Sequence, residues 1–158
     1  MSKIRISIVG AGPAGLYAAE LLAKEGFEIS LFDHKVPWEK PCGGLIPPDT
    51  LREFPFLLSF PHLKSKCSKL VCESPTRRRK FWYFDKTSYI ISRKELASFQ
   101  LKRAVDAGTK LIAEIVETIM SYENRVDLKL PIADFFQNTF LGFVFNNRLF
   151  TNERENQV

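Results

Sequence analysis

The first 33 residues follow a hydrophobic pattern in the order strand, helix, strand. Residues 4–9 are a short, β-branched apolar run, typical of a strand buried on both faces. Residues 14–24 are rich in helix formers with apolar side chains on one face, and Gly26 supplies a helix stop. Residues 27–32 form a second apolar run that ends at Asp33. The pattern predicts a βαβ unit.

Three glycines stand between the first strand and the helix in the spacing GxGxxG. Gly10 permits the tight strand-to-helix turn, Gly12 lets a pyrophosphate approach the backbone, and Gly15 lets the helix pack closely on the strand. The N–H groups at the helix start are then directed at the phosphates. Asp33 is placed to accept hydrogen bonds from the ribose hydroxyls of an adenosine. The unit is predicted to bind a dinucleotide, the alternative being a glycine-rich turn in another α/β protein. The candidate cofactor-binding residues here are Gly10, Ala11, Gly12, Pro13, Ala14, Gly15, Asp33 and His34.

The chain after Asp33 begins with an excursion that separates the βαβ unit from the next helix. Residues 34–61 are rich in proline, and three short strands are predicted after them, with turns at Ser74 and Pro75 and near Asp85 and Lys86. These strands are residues 70–73, 80–84 and 88–91. We therefore expect a small β excursion over about residues 34–92.

A helix and further strands are predicted to follow the excursion. Ser92 is a candidate N-cap with Glu95 three residues on, which opens a helix through about Ala107 that stops at Gly108. Residues 110–120 contain an apolar run that fits a third parallel strand, and residues 126–130 fit another strand. Residues 1–130 are thus predicted to form the dinucleotide-binding domain.

Residues 131–158 form a divergent, phenylalanine-rich tail. This tail holds six of the fourteen phenylalanines and ends in a polar stretch that we expect to fray. Residues 140–150 fit a hairpin around Asn146 and Asn147, since asparagine tolerates the positive φ of a type I′ turn. Aberrant sequence is the alternative for this tail.

Composition limits the class of protein. The chain has 158 residues, of which 45% are hydrophobic, and this suits one domain with a core. Glycines and a proline interrupt the apolar residues 6–23, which argues against a signal peptide or a membrane helix. The cysteines Cys42, Cys67 and Cys72 form no metal-binding spacing, and we expect reduced thiols, no metal and a cytoplasmic location.

The formal net charge is +5, and it is unevenly distributed. Residues 121–158 contain four basic and five acidic side chains, so the positive charge lies in the first 120 residues. This suits an anionic cofactor, and it also suits an acidic membrane surface or a nucleic acid. Arg77–Arg79 and Lys80 precede four aromatic residues, but we interpret them as a charged turn before a strand and disfavour nucleic acid.

A second candidate segment is EKPCGGL, residues 39–45. Gly43 and Gly44 would let the backbone pass close to a planar ring, against which the thiol of Cys42 could lie. Lys40 could reach a phosphate. The alternative is an ordinary loop with a solvated lysine and a buried cysteine.

Three segments together resemble the geranylgeranyl reductase family of FAD-dependent oxidoreductases, within the group similar to para-hydroxybenzoate hydroxylase. They are GAGPAGLYAAELLAKEG with its following strand and acid, KPCGGLIPP, and SRKELASFQLKRAVDAG. The resemblance implies an α/β fold with a Rossmann-like FAD/NAD(P)-binding βαβ unit, a parallel sheet and a small β excursion. It also implies that Gly10, Gly12, Gly15 and Asp33 hold the ADP half of FAD. Arg93 would lie near the flavin, and Cys42, Gly43 and Gly44 would form the loop beside the ring and substrate. An exposed ion pair is the alternative for Arg93.

Two departures from the family pattern bear on activity. Ala97 stands where an aspartate is expected after Arg93, and no Gly-Asp pair for the ribityl chain occurs in the sequence. We therefore expect a truncated domain that lacks the substrate-binding half. The resemblance implies that a full-length form reduces isoprenoid double bonds, with NAD(P)H as a candidate electron donor and peripheral membrane contact. The alternative is a non-catalytic dinucleotide-binding fragment, either inert or completed by a partner chain.

Overall fold

The computed structural model describes residues 4–122 and 126–131, together with the backbone of residues 136–138 and 142–144. The chain divides into two units, one of residues 1–36 and 100–158 and the other of residues 37–99. No helix among the described residues has the length and apolar character needed to cross a bilayer.

The first unit begins with the predicted βαβ motif. Strand β1 is Arg5–Val9, helix α1 is Pro13–Lys24 and strand β2 is Glu28–Phe32. The first strand pairs in parallel with the second from Arg5 opposite Glu28 to Val9 opposite Phe32. Buried side chains of both strands and of the helix form the core here, as the apolar pattern requires: Ile6, Ile8, Leu16, Ala19, Ile29 and Leu31.

The second unit contains the excursion. Strand β3 is Leu45–Ile46, helix α2 is Pro48–Glu53, a 3-10 helix covers Pro55–Ser59, strand β4 is Ser65–Glu73 and strand β5 is Arg79–Ile90. The antiparallel sheet has the order β3-β5-β4. A separate apolar cluster lies in this unit, formed by Ile46, Leu57, Phe60, Ile91 and Leu96.

The predicted turn near Asp85 and Lys86 is wrong, because β5 is continuous through these residues. The pairing register shifts here, from Cys67 opposite Ser88 to Lys69 opposite Tyr83. The residues of β5 between these two pairs, 84–87, therefore form an irregularity within one strand. Polar composition alone does not distinguish such an irregularity from a turn.

Helix α3, Arg93–Asp106, leads back into the first unit. The remaining strands are β6, Lys110–Ile112; β7, Thr118–Ser121; β8, Val126–Lys129; β9, Phe136–Asn138; and β10, Gly142–Val144. The strands β10-β1-β2-β6 form a parallel sheet in that order, and β7-β8-β9 form an antiparallel one. The predicted α/β fold with a parallel sheet is confirmed.

The single strand predicted over residues 110–120 is two strands that belong to different sheets. Strand β6 pairs in parallel with β2, whereas β7 pairs antiparallel with β8. Apolar composition does not show which sheet a strand joins, because that depends on long-range pairing. Of the hairpin predicted over residues 140–150, the structure describes the backbone of residues 142–144, which form β10 and pair in parallel with β1. The rest of the predicted hairpin lies outside the described residues.

Candidate dinucleotide-binding site

The glycine-rich turn has the steric features that its sequence predicts. Gly10 has a φ of 100°, which L side chains rarely adopt, and its N–H donates to the carbonyl oxygen of Phe32 at 2.8 Å. A Cβ on Gly15 would lie 2.0 Å from the carbonyl oxygen of Gly10. The close contact of helix and turn therefore requires glycine at position 15.

Gly12 differs from the other two glycines because its surroundings are open. It has an extended conformation, with a φ of −72° and a ψ of 175°, and a Cβ built there meets nothing within 4 Å. The chain itself does not require glycine at this position, since other residues adopt this conformation. Open space in front of an exposed backbone is what a phosphate group would occupy.

Helix α1 begins without a side-chain cap. Gly12 is the N-cap residue, Pro13 follows it, no acidic residue lies in the first turn, and no side chain among the described residues makes a capping hydrogen bond there. The N–H groups of Ala14 and Gly15 belong to this first turn, where intrahelical acceptors are lacking. The positive end of the helix dipole is thus available to an anion.

Asp33 connects the end of β2 to the glycine-rich turn. Its Oδ2 accepts a hydrogen bond from the N–H of Ala11 at 2.8 Å, and its Oδ1 accepts from the N–H groups of Lys35 and Val36 at 2.8 and 3.0 Å. These bonds use three of about four acceptor positions of a carboxylate, which leaves one for a ribose hydroxyl. His34 is exposed beside it.

The start of α3 provides a contrast within the same chain. Ser92 accepts a hydrogen bond from the N–H of Glu95 at 3.2 Å, which confirms the predicted N-cap. Glu39 accepts from the Ser92 hydroxyl at 2.6 Å and from the N–H groups of Arg93 and Lys94 at 2.8 and 3.3 Å. The hydrogen bond from Ser92, followed by those from the backbone and the charge of Arg93, lowers the pKa of Glu39. This helix start is therefore already occupied by a carboxylate of the chain.

The loop of residues 39–45 lies in the second unit. Cys42 and Gly43 are exposed and Lys40 is half-buried. Gly44 is buried with a φ of 66°, its carbonyl oxygen accepts from the N–H of Ile91 at 3.0 Å, and a Cβ there would lie 2.0 Å from the carbonyl oxygen of Ile91. Glycine at position 44 is thus explained by backbone packing. The flavin-side role of Cys42, Gly43, Gly44, Lys40 and Arg93 stays a prediction.

Sequence reasoning missed Gln100, which supports the first turn of α1. Its Nε2 donates to the carbonyl oxygen of Pro13 at 3.2 Å, the residue is buried, and its Oε1 has no hydrogen-bond partner among the described residues. Gln100 lies four residues from each of Leu96 and Ala104, which are buried too. A polar residue on an otherwise apolar helix face was the signal in the sequence.

A second missed feature is the ion pair of Glu20 with Arg103. The guanidinium Nε lies 2.9 Å from Oε2 of Glu20, and Nη2 bonds to Oε1, while Lys24 contacts the same carboxylate. Burial raises the pKa of Glu20, but the hydrogen bonds and charges of Lys24 and Arg103 outweigh it, so the pKa is lowered overall. Glu20 is the one charged residue in the apolar segment 6–23, and this pattern indicated that its carboxylate requires a partner of opposite charge.

Comparisons with known proteins agree with this geometry. A family model described as an NAD(P)-binding Rossmann-like domain matches residues 8–46. An uncharacterised protein of Methanosarcina barkeri is 31% identical over 143 residues, which are 89% of this chain and 37% of that protein. The geranylgeranyl diphosphate reductase of a Synechocystis strain is 35% identical over 111 residues, 69% of this chain and 27% of the reductase.

Solved structures show the same fold at low identity. A geranylgeranyl bacteriochlorophyll reductase-like protein from Thermoplasma acidophilum has a TM-score of 0.72 at 15% identity, over 90% of this chain and 39% of that one. The halogenase PltM has a TM-score of 0.71 at 16% identity, over 90% of this chain and 34% of the halogenase.

The fold and the glycine-rich turn make the chain similar to proteins with a Rossmann-like dinucleotide-binding unit. Within that class it is similar to the N-terminal portion of the geranylgeranyl diphosphate reductases, which confirms the resemblance predicted from its motifs. The chain spans 37% and 27% of the length of the two curated relatives described above.

Proposed function

We propose that this chain binds the ADP half of FAD and corresponds to the cofactor-binding part of an oxidoreductase of the geranylgeranyl reductase type. The observation that carries the proposal is the uncapped start of α1, with open space at Gly12. The N–H groups of Ala14 and Gly15 would hold the pyrophosphate, and Asp33 would accept from the ribose. A halogenase PltM structure that contains FAD has the same fold, which supports FAD as the cofactor.

Bound FAD would supply the hydride chemistry for reduction of a carbon–carbon double bond. The residues of this chain would bind and orient it. The reductase relatives are named for geranylgeranyl diphosphate, which supports an isoprenoid substrate, and NAD(P)H is proposed as the electron donor. A cytoplasmic location with peripheral membrane contact belongs to the same proposal.

The second candidate function is non-catalytic nucleotide binding, by a fragment that is inert or completed by a partner chain. The absence of a Gly-Asp pair from the sequence favours it. Both candidates require the ADP site, so they separate on whether FAD binding and reductase activity appear once the relatives' remaining segment is fused to the chain.

Gly12→Val tests the ADP site that both candidates share. Valine fits the extended backbone at position 12, and no atom of the chain lies in its way, so the variant should fold. Its branched side chain would occupy the space of the pyrophosphate and abolish binding of ADP, measured by titration calorimetry.

Gly43→Val is the matched control, because a Cβ at Gly43 also meets nothing within 4 Å. It should leave ADP affinity unchanged, since ADP carries no flavin ring. Equal ADP affinity of the parent chain and Gly12→Val would refute the assignment of the phosphate site.

A further inference from the structure

The hairpin of β4 and β5 carries exposed apolar side chains beside its turn. Five of them, which we call the aromatic ribbon, are Leu70, Val71, Phe81, Trp82 and Tyr83, and their exposed fractions run from 40% to 72%. Contiguous exposed apolar side chains on a folded unit mark an interaction surface.

The aromatic ribbon presents apolar side chains on both faces of the hairpin. Leu70 is paired with Trp82, and the next pair is Val71 with Phe81. Directly opposed residues share a face and successive pairs alternate between faces. A protein surface packed against one face of the hairpin would therefore leave the other face exposed.

Positive charge surrounds these side chains. The turn contains Arg77 and Arg78, both exposed, and Arg79 is paired with Glu73 at 2.5 Å. The ammonium group of Lys69 lies 5.5 Å from the ring centroid of Phe81, and that of Lys80 lies 5.0 Å from the ring centroid of Trp82. Cationic groups are thus distributed along the same stretch of hairpin as the rings.

We propose that the β4–β5 hairpin binds the surface of an anionic lipid bilayer. Trp and Tyr side chains favour the membrane–water interface, where the ring is in an apolar layer and its polar atom stays hydrated. The alkyl stems of Lys and Arg lie along apolar surface while their charges reach the lipid phosphates. The aromatic ribbon with its basic turn supplies both groups within one element. The proposal rests on the peripheral membrane contact of the proposed function and gives it a site, which is separate from the dinucleotide site.

Two other occupants fit the surface less well. A second copy of the chain joined through this surface by a two-fold axis would bring the cluster of Arg77 and Arg78 against itself. A single-stranded nucleic acid needs open ring faces on which bases stack, and the lysines at Phe81 and Trp82 lie over those rings. The aliphatic Leu70 and Val71 add contact area only for an apolar partner.

The test uses the full chain with Trp38→Phe, which leaves Trp82 as the only tryptophan. Vesicles of phosphatidylcholine alone and of phosphatidylcholine with phosphatidylglycerol are added at low salt. We expect a blue shift of Trp82 emission and co-sedimentation with the anionic vesicles only, both weakened by high salt. Absence of a blue shift, or equal binding to both vesicle types, would overturn the proposal.

Two matched variants locate the surface. Arg77→Asn with Arg78→Gln should lower partitioning into anionic vesicles about thirtyfold, at roughly 1 kcal/mol per basic residue. The control is Arg52→Gln with Lys102→Gln, which removes the same amount of positive charge from two exposed helical sites outside the hairpin. An equal loss in both double variants would show a net-charge effect and reject the hairpin as the site.

A third variant tests the rings of the hairpin, and an oligothymidylate probe separates lipid from nucleic acid. Tyr83→Ser, at the most exposed ring of the ribbon, should weaken vesicle binding without unfolding the chain. An oligothymidylate that shifts Trp82 emission where anionic vesicles do not would assign the hairpin to nucleic acid and refute the lipid proposal. The Gly12→Val variant should bind vesicles as the parent chain does, so failure of the two proposals is distinguishable.

Discussion

At the residue scale, Asp33 has two tasks that one substitution would disturb. Its carboxylate accepts from the N–H groups of Ala11, Lys35 and Val36, and it is the proposed acceptor for the ribose. Asp33→Ala should weaken ADP binding by about 1.5–3 kcal/mol, the range for a hydrogen bond to a charged group. Titration of ADP into both forms measures this.

The same substitution should also lower the free energy of unfolding by about 1–2 kcal/mol, because three backbone N–H groups lose their acceptor. Urea denaturation measures this second effect. Asp49→Ala is the control, since Asp49 is exposed and forms a surface ion pair with Arg52. Reduced stability with unchanged ADP affinity of the folded protein would show that Asp33 acts on the turn alone.

At the element scale, the two long helices differ in how the N–H groups of their first turns are bonded. Helix α1 has no side-chain cap among the described residues, whereas α3 is capped by Ser92 and by Glu39. Glu39 is remote in sequence from the helix it caps, so local pattern could not reveal it. Of these two helices, α1 is the one whose first-turn N–H groups have no side-chain acceptor among the described residues.

The Glu20–Arg103 pair joins α1 to the C-terminal half of α3 and should make stability depend on pH. The pKa of Glu20 is lowered from an ordinary value of 4.5. The stabilisation is therefore present above that value and is lost as the pH falls through the lowered pKa. Glu20→Gln should lower the free energy of unfolding by about 1–3 kcal/mol at pH 7, because a neutral glutamine at this buried position forms no ion pair with Arg103.

Urea denaturation at several pH values tests this. The difference in unfolding free energy between the parent chain and Glu20→Gln should narrow below pH 4.5. Glu25→Gln removes one charge from an exposed position at the end of the same helix and should show a much smaller difference. A Glu20→Gln effect that does not vary with pH would contradict an ionic role.

At the scale of the whole molecule, the described geometry that suits FAD lies at its ADP end. The glycine-rich turn and Asp33 serve the ADP half, and no Gly-Asp motif for the ribityl chain is present. We expect the chain alone to bind FAD weakly or not at all and to show no double-bond reductase activity. An exposed flavin would also be open to water and oxygen.

Absorbance of the purified chain and turnover with a prenyl substrate are the measurements. A yellow, monodisperse protein with stoichiometric FAD that reduces the substrate would contradict this prediction. Colourless protein that binds ADP but not FAD would support the fragment as a nucleotide-binding unit. Addition of the relatives' remaining segment as a second polypeptide would then test whether a partner restores FAD binding.

The sequence by itself determined the βαβ unit, because its determinants are local. Apolar periodicity defines β1, α1 and β2, and the steric needs of Gly10 and Gly15 follow from a turn only a few residues long. Tertiary structure decided what depends on distant partners: the division of residues 110–120 between two sheets, the continuity of β5, and the contacts of Gln100, Glu20 and Glu39. The apolar pattern marks Gln100 and Glu20 as polar positions in apolar surroundings, but it does not show which residue, dozens of positions away, is the partner.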